Sequence, residues 1–134
     1  MIVVDSSAII SIFAEEEDAK RFTRRIATDE APYIAASSVL ECSIVMRGSR
    51  RLIGIQCERW LDNFLASGRV TIEPVGLDDL RLARSAHIQY GKGTGHPAQL
   101  NFGDCFSYAL AKRLDAPLLF KGGDFSRTDI KSAL

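Results

Sequence analysis

Met1-Ile2-Val3-Val4-Asp5-Ser6-Ser7-Ala8-Ile9 opens the chain with a β-branched run, an acid and two hydroxyls, and the start of an apolar stretch that continues to Ala14. Ile2 to Val4 has the content of a short buried strand, Asp5-Ser6-Ser7 stops it, and Ala8 to Ala14 has helical character. The alternation repeats. Glu15 to Ala27 continues as an amphipathic helix with Ala19, Phe22 and Ile26 at spacings of three and four. Pro32 to Ala35 is a second strand, and Ser38-Val39-Leu40-Glu41 has the S-x-x-E form of a helix start, with the helix running to about Met46. Gly48 and Gly54 bracket a basic link before a helix through Trp60, Leu61, Phe64 and Leu65. Val70 to Ile72 is the third strand. A helix over Asp78 to Tyr90 carries Leu80, Ala83 and His87 on one stripe. Gly91 to Pro97 is a loop, Asn101 caps a helix over Gly103 to Leu114, and Pro117 to Phe120 is the fourth strand. Continuous apolar strands alternating with helices specify an α/β sandwich around a parallel sheet.

The chain has 134 residues, with 17 Lys plus Arg against 17 Asp plus Glu, 46% apolar residues and 25% charged. That length fits one domain, residues 1–134, able to bury roughly two-thirds of the surface its unfolded chain exposes. With 10 Gly and 4 Pro, collagen-like and low-complexity readings fail. A net charge of zero excludes a protein that coats nucleic acid by bulk charge. The charges are nevertheless segregated, a pattern that two solvated helix faces would also give: Asp5, Glu15, Glu16, Glu17 and Asp18 precede the first base, and Lys20, Arg21, Arg24, Arg25, Arg47, Arg50 and Arg51 follow with only Asp29, Glu30 and Glu41 among them. Cys42, Cys57 and Cys105 form no CxxC pair and, with His87 and His96, no zinc spacing, which fits reduced thiols in a cytoplasmic protein. The apolar N-terminus has no basic start and is interrupted by Asp5, so it reads as neither a signal peptide nor a membrane span.

In an open parallel sheet, ligands gather beyond the carboxyl ends of the strands. Asp5 follows the first strand, Glu41 lies in the first turn of the helix after the second, and Asp124 comes just after the fourth. Asp104 opens the helix leading into that strand. Each has a purely structural alternative: a capping box of Ser38 with Glu41, a complement to the helix N-terminus for Asp104, a turn at Asp124, an Asx-turn or cap at Asp5. Together on one rim they would repel one another and raise at least one pKa unless cations held them. Hard oxygen ligands without His or Cys suit Mg²⁺ or Mn²⁺, and such an ion serves phosphodiester chemistry. Ser6 and Ser7 add hydroxyls beside Asp5, with helix capping as the alternative for Ser7.

These residues resemble a known family. MIVVDSSAI at 1–9, SSVLECSI at 37–44 and LNFGDCFSYALAKRLDAPLLFKGGDFSRTDI at 100–130 are similar to the PIN-domain ribonucleases, and within them to the VapC-type toxins of type II toxin–antitoxin pairs. The resemblance covers essentially the whole chain. It implies a three-layer sandwich with a central, mostly parallel sheet flanked by helices. It also implies an Asp5, Glu41, Asp104 and Asp124 quartet that binds Mg²⁺ or Mn²⁺ and activates water to hydrolyse RNA. Many relatives carry Asn or Asp before the last acid, where this sequence has Gly123, which touches only the positioning of Asp124. The expected partners are an RNA substrate, a small cognate antitoxin that inhibits the enzyme, and a second copy in a homodimer.

Arg47, Arg50 and Arg51, with Lys92 and His96 in the glycine loop, are the candidate RNA contacts; a flexible connection with a chance charge is the alternative for the loop. Cys42 and Cys105, one residue past an acid on a helix, turn toward packing. Two other functions compete with the nuclease. One is a PIN-like module that binds RNA or protein without cutting, disfavoured by four acids that repel phosphate. The other is a phosphoryl-transfer enzyme with an aspartyl nucleophile, disfavoured by the missing D-x-D pattern.

Overall fold

The apolar run Ile2–Val4 forms β1, the second of four parallel strands from one edge, in the computed structural model, which describes residues 1–134. The remaining elements follow as α1 (Ser6–Phe13), α2 (Ala19–Thr28), β2 (Pro32–Ala35), α3 (Ala36–Gly48), α4 (Gly54–Ser67), β3 (Thr71–Glu73), α5 (Leu77–Tyr90), α6 (Phe102–Leu114) and β4 (Leu118–Leu119). Strand order is β3-β2-β1-β4, with Val3 opposite both Tyr33 and Leu118. The chain builds outward from β1 on one side, then returns to pair β4 on its other side. The switch point of the sheet therefore lies at the carboxyl end of β1, which is where a ligand crevice forms in such folds.

Alternation along each strand divides the core in two. Ile2, Val4, Ile34 and Leu119 point into a layer closed by α1, α2 and α4, with Phe22, Ile26, Met46, Leu61 and Leu65. Val3, Ala35 and Leu118 point the other way, onto α5 and α6 through Ala83, Ala86, Tyr108 and Leu110. A short strand can feed both layers because successive side chains face opposite sides. Helix α3 touches both α1 and α6 and so spans the layers at the sheet's end. The three-layer arrangement is the one expected from the sequence.

Local departures have identifiable causes. The expected continuous helix across Glu15 breaks: α1 ends at Phe13, Glu15 adopts φ 54°, and α2 begins at Ala19. Four consecutive acids, Glu15 to Asp18, oppose the negative end of α1 but suit the positive start of α2. The S-x-x-E capping box at Ser38 does not form. Strand β2 runs straight into α3 at Ala36, which places Glu41 in the second turn and leaves Ser38 buried inside the helix. On α5 the buried stripe is Asp79, Ala83, Ala86 and Tyr90, while Leu80 and His87 face outward. The third and fourth strands are Thr71–Glu73 and Leu118–Leu119, against the expected Val70 to Ile72 and Pro117 to Phe120.

Candidate active site at the end of the first strand

Asp5 leaves β1 at the switch point, where its backbone N–H still donates to the Leu119 carbonyl at 2.9 Å. It is only 1% exposed. Its Oδ2 accepts from the Ser7 N–H at 3.0 Å, capping α1, and its Oδ1 accepts from the Ser107 hydroxyl at 2.5 Å. The cap reading and the site reading of Asp5 are thus compatible. The other acids arrive on separate elements. Glu41 projects from α3 and accepts a short hydrogen bond from the Ser6 hydroxyl. Asp104 sits in the first turn of α6, where it and Asn101 form a reciprocal capping box: Asp104 N–H donates to Asn101 Oδ1 at 2.9 Å, and Asn101 N–H donates to Asp104 Oδ2 at 3.0 Å. Asp124, exposed, precedes a single 3₁₀ turn, Phe125–Arg127.

All four acids line one pocket of about 240 Å³, together with Ser6, Ser7, Ile10, Val45, Asn101, Lys121 and Phe125. Its electrostatics are those of crowded carboxylates. Burial, with the charges of Asp5, Glu41 and Asp124, pushes Asp104 up to about 7 against the backbone bond from Asn101. Burial also raises Glu41, opposed by the Ser6 bond and reinforced by Asp5. The Cys42 thiol beside them is driven upward by burial and by Asp5 and Glu41, and is 0% exposed, so it is packing and not a nucleophile. Cys105 is buried likewise.

Gly103 leaves room for the Glu41 carboxylate at the start of α6: a Cβ there would meet the end of the Glu41 side chain, which would have to swing aside.

The donor set is entirely oxygen, with no His or Cys lining the pocket, which fits a hard divalent cation such as Mg²⁺ or Mn²⁺. As the side chains stand, no three of them surround a common ion position. Asp5, Glu41 and Asp104 are instead satisfied by Ser7, Ser107, Ser6 and Asn101. A cation would offset both the burial of the Asp104 charge and the repulsion from Asp5, Glu41 and Asp124 that together raise it.

A family model described as PIN domain matches residues 2–131. The chain belongs to the PIN-domain family, among its VapC ribonucleases. It is 43% identical to Ribonuclease VapC28 of Mycobacterium tuberculosis, over 99% of this chain and 98% of the relative. It is 38% identical to Ribonuclease VapC42 of the same species, over 98% of each. Among solved structures, the fold matches Mycobacterium tuberculosis VapC20, described as a toxin that cleaves the sarcin-ricin loop, at a TM-score of 0.75 and 18% identity over 97% of this chain and 96% of that one. It also matches a toxin–antitoxin complex from Klebsiella pneumoniae at 0.68 and 16%, over 94% and 91%.

The PIN domain places the basic candidates outside the acidic pocket. Arg47 donates from Nε to the Ser43 carbonyl at 3.1 Å and pairs with Glu58 at 3.8 Å. Arg51 donates to the Phe13 carbonyl at 2.6 Å, pairs with Glu15 at 2.9 Å and lies over the Phe13 ring. Arg47 ties α3 to α4, and Arg51 fastens the link between them to the end of α1. Arg50 is exposed, with φ 61°. Lys92 is exposed, and His96 is turned inward, its Nδ1 accepting from the Ala98 N–H at 3.0 Å and its ring edge-on to Tyr90. None of the five lines the pocket. The base that does is Lys121, which pairs with Glu16 and whose N–H donates to Ser7 Oγ at 3.0 Å. Its position two residues after β4 and three before Asp124 is the signal the sequence offers.

Proposed function

We propose that this PIN domain, acting as one unit over residues 1–134, is a Mg²⁺- or Mn²⁺-dependent endoribonuclease toxin held in check by a small antitoxin. One observation carries the proposal: Asp5, Glu41, Asp104 and Asp124, drawn from four separate segments, line one pocket without His or Cys at the switch point of the sheet. The VapC ribonucleases it is similar to supply the reaction class.

In this reading Asp5 and Asp104 are the principal ion ligands, and Glu41 and Asp124 complete the acidic rim. A divalent ion bound there lowers the pKa of water and offsets charge on a phosphoryl oxygen. The protein's own contribution is orientation. Ser6 holds Glu41, Ser7 and Ser107 hold the two oxygens of Asp5, and Asn101 holds Asp104 at the start of α6. Lys121 is the base nearest the incoming phosphate, and Arg50 and Lys92 are free to steer the RNA backbone from farther out. No covalent nucleophile is needed, since both thiols near the acids are buried and raised.

The acidic pocket also suits the guanidinium or ammonium of an antitoxin side chain. A homodimer is part of the same proposal, and so is action in the cytoplasm. No helix is long and apolar enough to cross a membrane.

The test is RNA-end sequencing after brief induced expression of the wild type and of Asp5→Asn. New 5′ ends that appear with the wild type and vanish with the variant support the nuclease. Chelator-insensitive RNA binding without cleavage under Mn²⁺ would instead favour a non-catalytic binding module.

A further inference from the structure

Beneath the pocket lies a line of three buried polar side chains, Ser38, Ser107 and Asp5, exposed by 1%, 0% and 1%. Ser38 precedes Glu41 by three residues on α3, and Ser107 follows Asp104 by three on α6, so each hydroxyl lies one helical turn from an acid. Ser107 Oγ is 2.5 Å from Asp5 Oδ1, and Ser38 Oγ is 3.1 Å from Ser107 Oγ. Geometry alone leaves the second bond without a direction. Chemistry supplies it. An ionised carboxylate has no hydrogen to give, and a serine hydroxyl has one. Ser107 gives its only hydrogen to Asp5, so Ser38 must be the donor to Ser107.

A buried serine in a helix is easily satisfied by a carbonyl of its own preceding turn. These two instead reach across 69 and 102 positions of sequence to one another and to Asp5. The other oxygen of Asp5 is already held by the Ser7 N–H. The carboxylate is therefore pinned at both ends, and the Ser38 bond polarises the Ser107 hydroxyl toward it.

We infer that Ser38 and Ser107 form a one-way hydroxyl relay that positions Asp5 for divalent-cation binding, with Ser38 acting only through Ser107. The inference rests on the reading of the acidic pocket as a cation site. Partners that orient a ligand from behind typically contribute 10–100-fold in metal affinity.

The experiment is calorimetric titration of Mn²⁺ into the chelator-stripped, purified full chain, with thermal unfolding in chelator measured alongside. Ser107→Ala is expected to weaken Mn²⁺ about tenfold, at the lower end of that range. Ser38→Ala, which leaves the Ser107 bond in place, is expected to weaken it by up to about twofold, the share of the bond that polarisation supplies. The double variant should match Ser107→Ala alone in affinity, because Ser38 has no other route to Asp5. Single variants that lose thermal stability but keep wild-type Mn²⁺ affinity would reduce both serines to packing and overturn the relay. So would affinity losses that add in the double variant. If Ser107→Ala is too unstable to purify, Ser38→Ala decides: unchanged Mn²⁺ affinity overturns the relay. A wild-type chain that takes up no Mn²⁺ refutes the cation site itself, a failure distinguishable from that of the relay.

Discussion

Asp104→Asn should make the metal-free protein more stable at pH 8 while removing its activity. The Asp104 carboxyl is raised from 3.8 to about 7, first by burial and then by Asp5, Glu41 and Asp124. Since the folded-state value lies above the ordinary one, the proton favours folding. That stabilisation is fully present below pH 3.8 and is lost as pH rises through about 7. Holding the group ionised at pH 8 costs at most about 4 kcal/mol, at 1.36 kcal/mol per pH unit. The pocket is open to water, so screening roughly halves this to about 2 kcal/mol. Asparagine carries no charge and keeps an oxygen for the Asn101 N–H, so the capping box survives. In chelator at pH 8 the variant should melt about 6–8 °C above the wild type, with a domain this size moving about 3–4 °C per kcal/mol. The advantage should shrink toward nothing by pH 4. Mn²⁺ at a hundred times its dissociation constant should then return about 2.7 kcal/mol to the wild type alone. A variant no more stable than wild type at pH 8 in chelator, or an advantage that persists at pH 4, would refute the claim that an ionised Asp104 strains the metal-free site.

Other substitutions probe the neighbouring contacts. Gly103→Ala should swing the Glu41 carboxylate aside, lowering the cleavage rate in an RNA-end assay at little cost in unfolding free energy. Ser6→Ala removes the bond that opposes the raised Glu41, so the acid limb of the pH–rate profile should move to higher pH. Arg113→Met should destabilise by roughly 3 kcal/mol in urea titrations, because buried Asp79, bonded to Arg113 Nε at 2.7 Å, loses its counter-ion along with Glu73. Copurification from the native host followed by sizing should yield a dimer bound to a small protein that carries Arg or Lys in its tail; a lone monomer at micromolar concentration would count against both partners.

What the sequence carried well was local. The strand–acid junction at Val4-Asp5, the Asn101 cap and the strand–helix alternation depend on neighbours within a few residues, and each is present. The four acids were legible by position, because in a parallel sheet the ends of strands converge by construction. What escaped depends on partners far away in sequence. Ser38 read as a cap because its true partner is Ser107. Arg47 and Arg51 read as free because Glu58, Glu15 and the Phe13 carbonyl are invisible to local pattern. Lys121 lines the pocket although no local pattern sets it apart from the other bases, and Gly103 is only a letter in NFGDC until the fold brings Glu41 against it.

The strand order has a consequence for the life of the molecule on the ribosome. Strand β1 is made first, yet its second edge stays open until β4, the last of the four strands to be translated, pairs with it. Asp124 emerges later still. Through most of synthesis the nascent chain therefore carries Asp5 and Glu41 without the acids that complete the set. On the proposed reading of the acidic pocket, a nascent chain that lacks Asp104 and Asp124 is inert toward RNA, and a copy interrupted before them stays so.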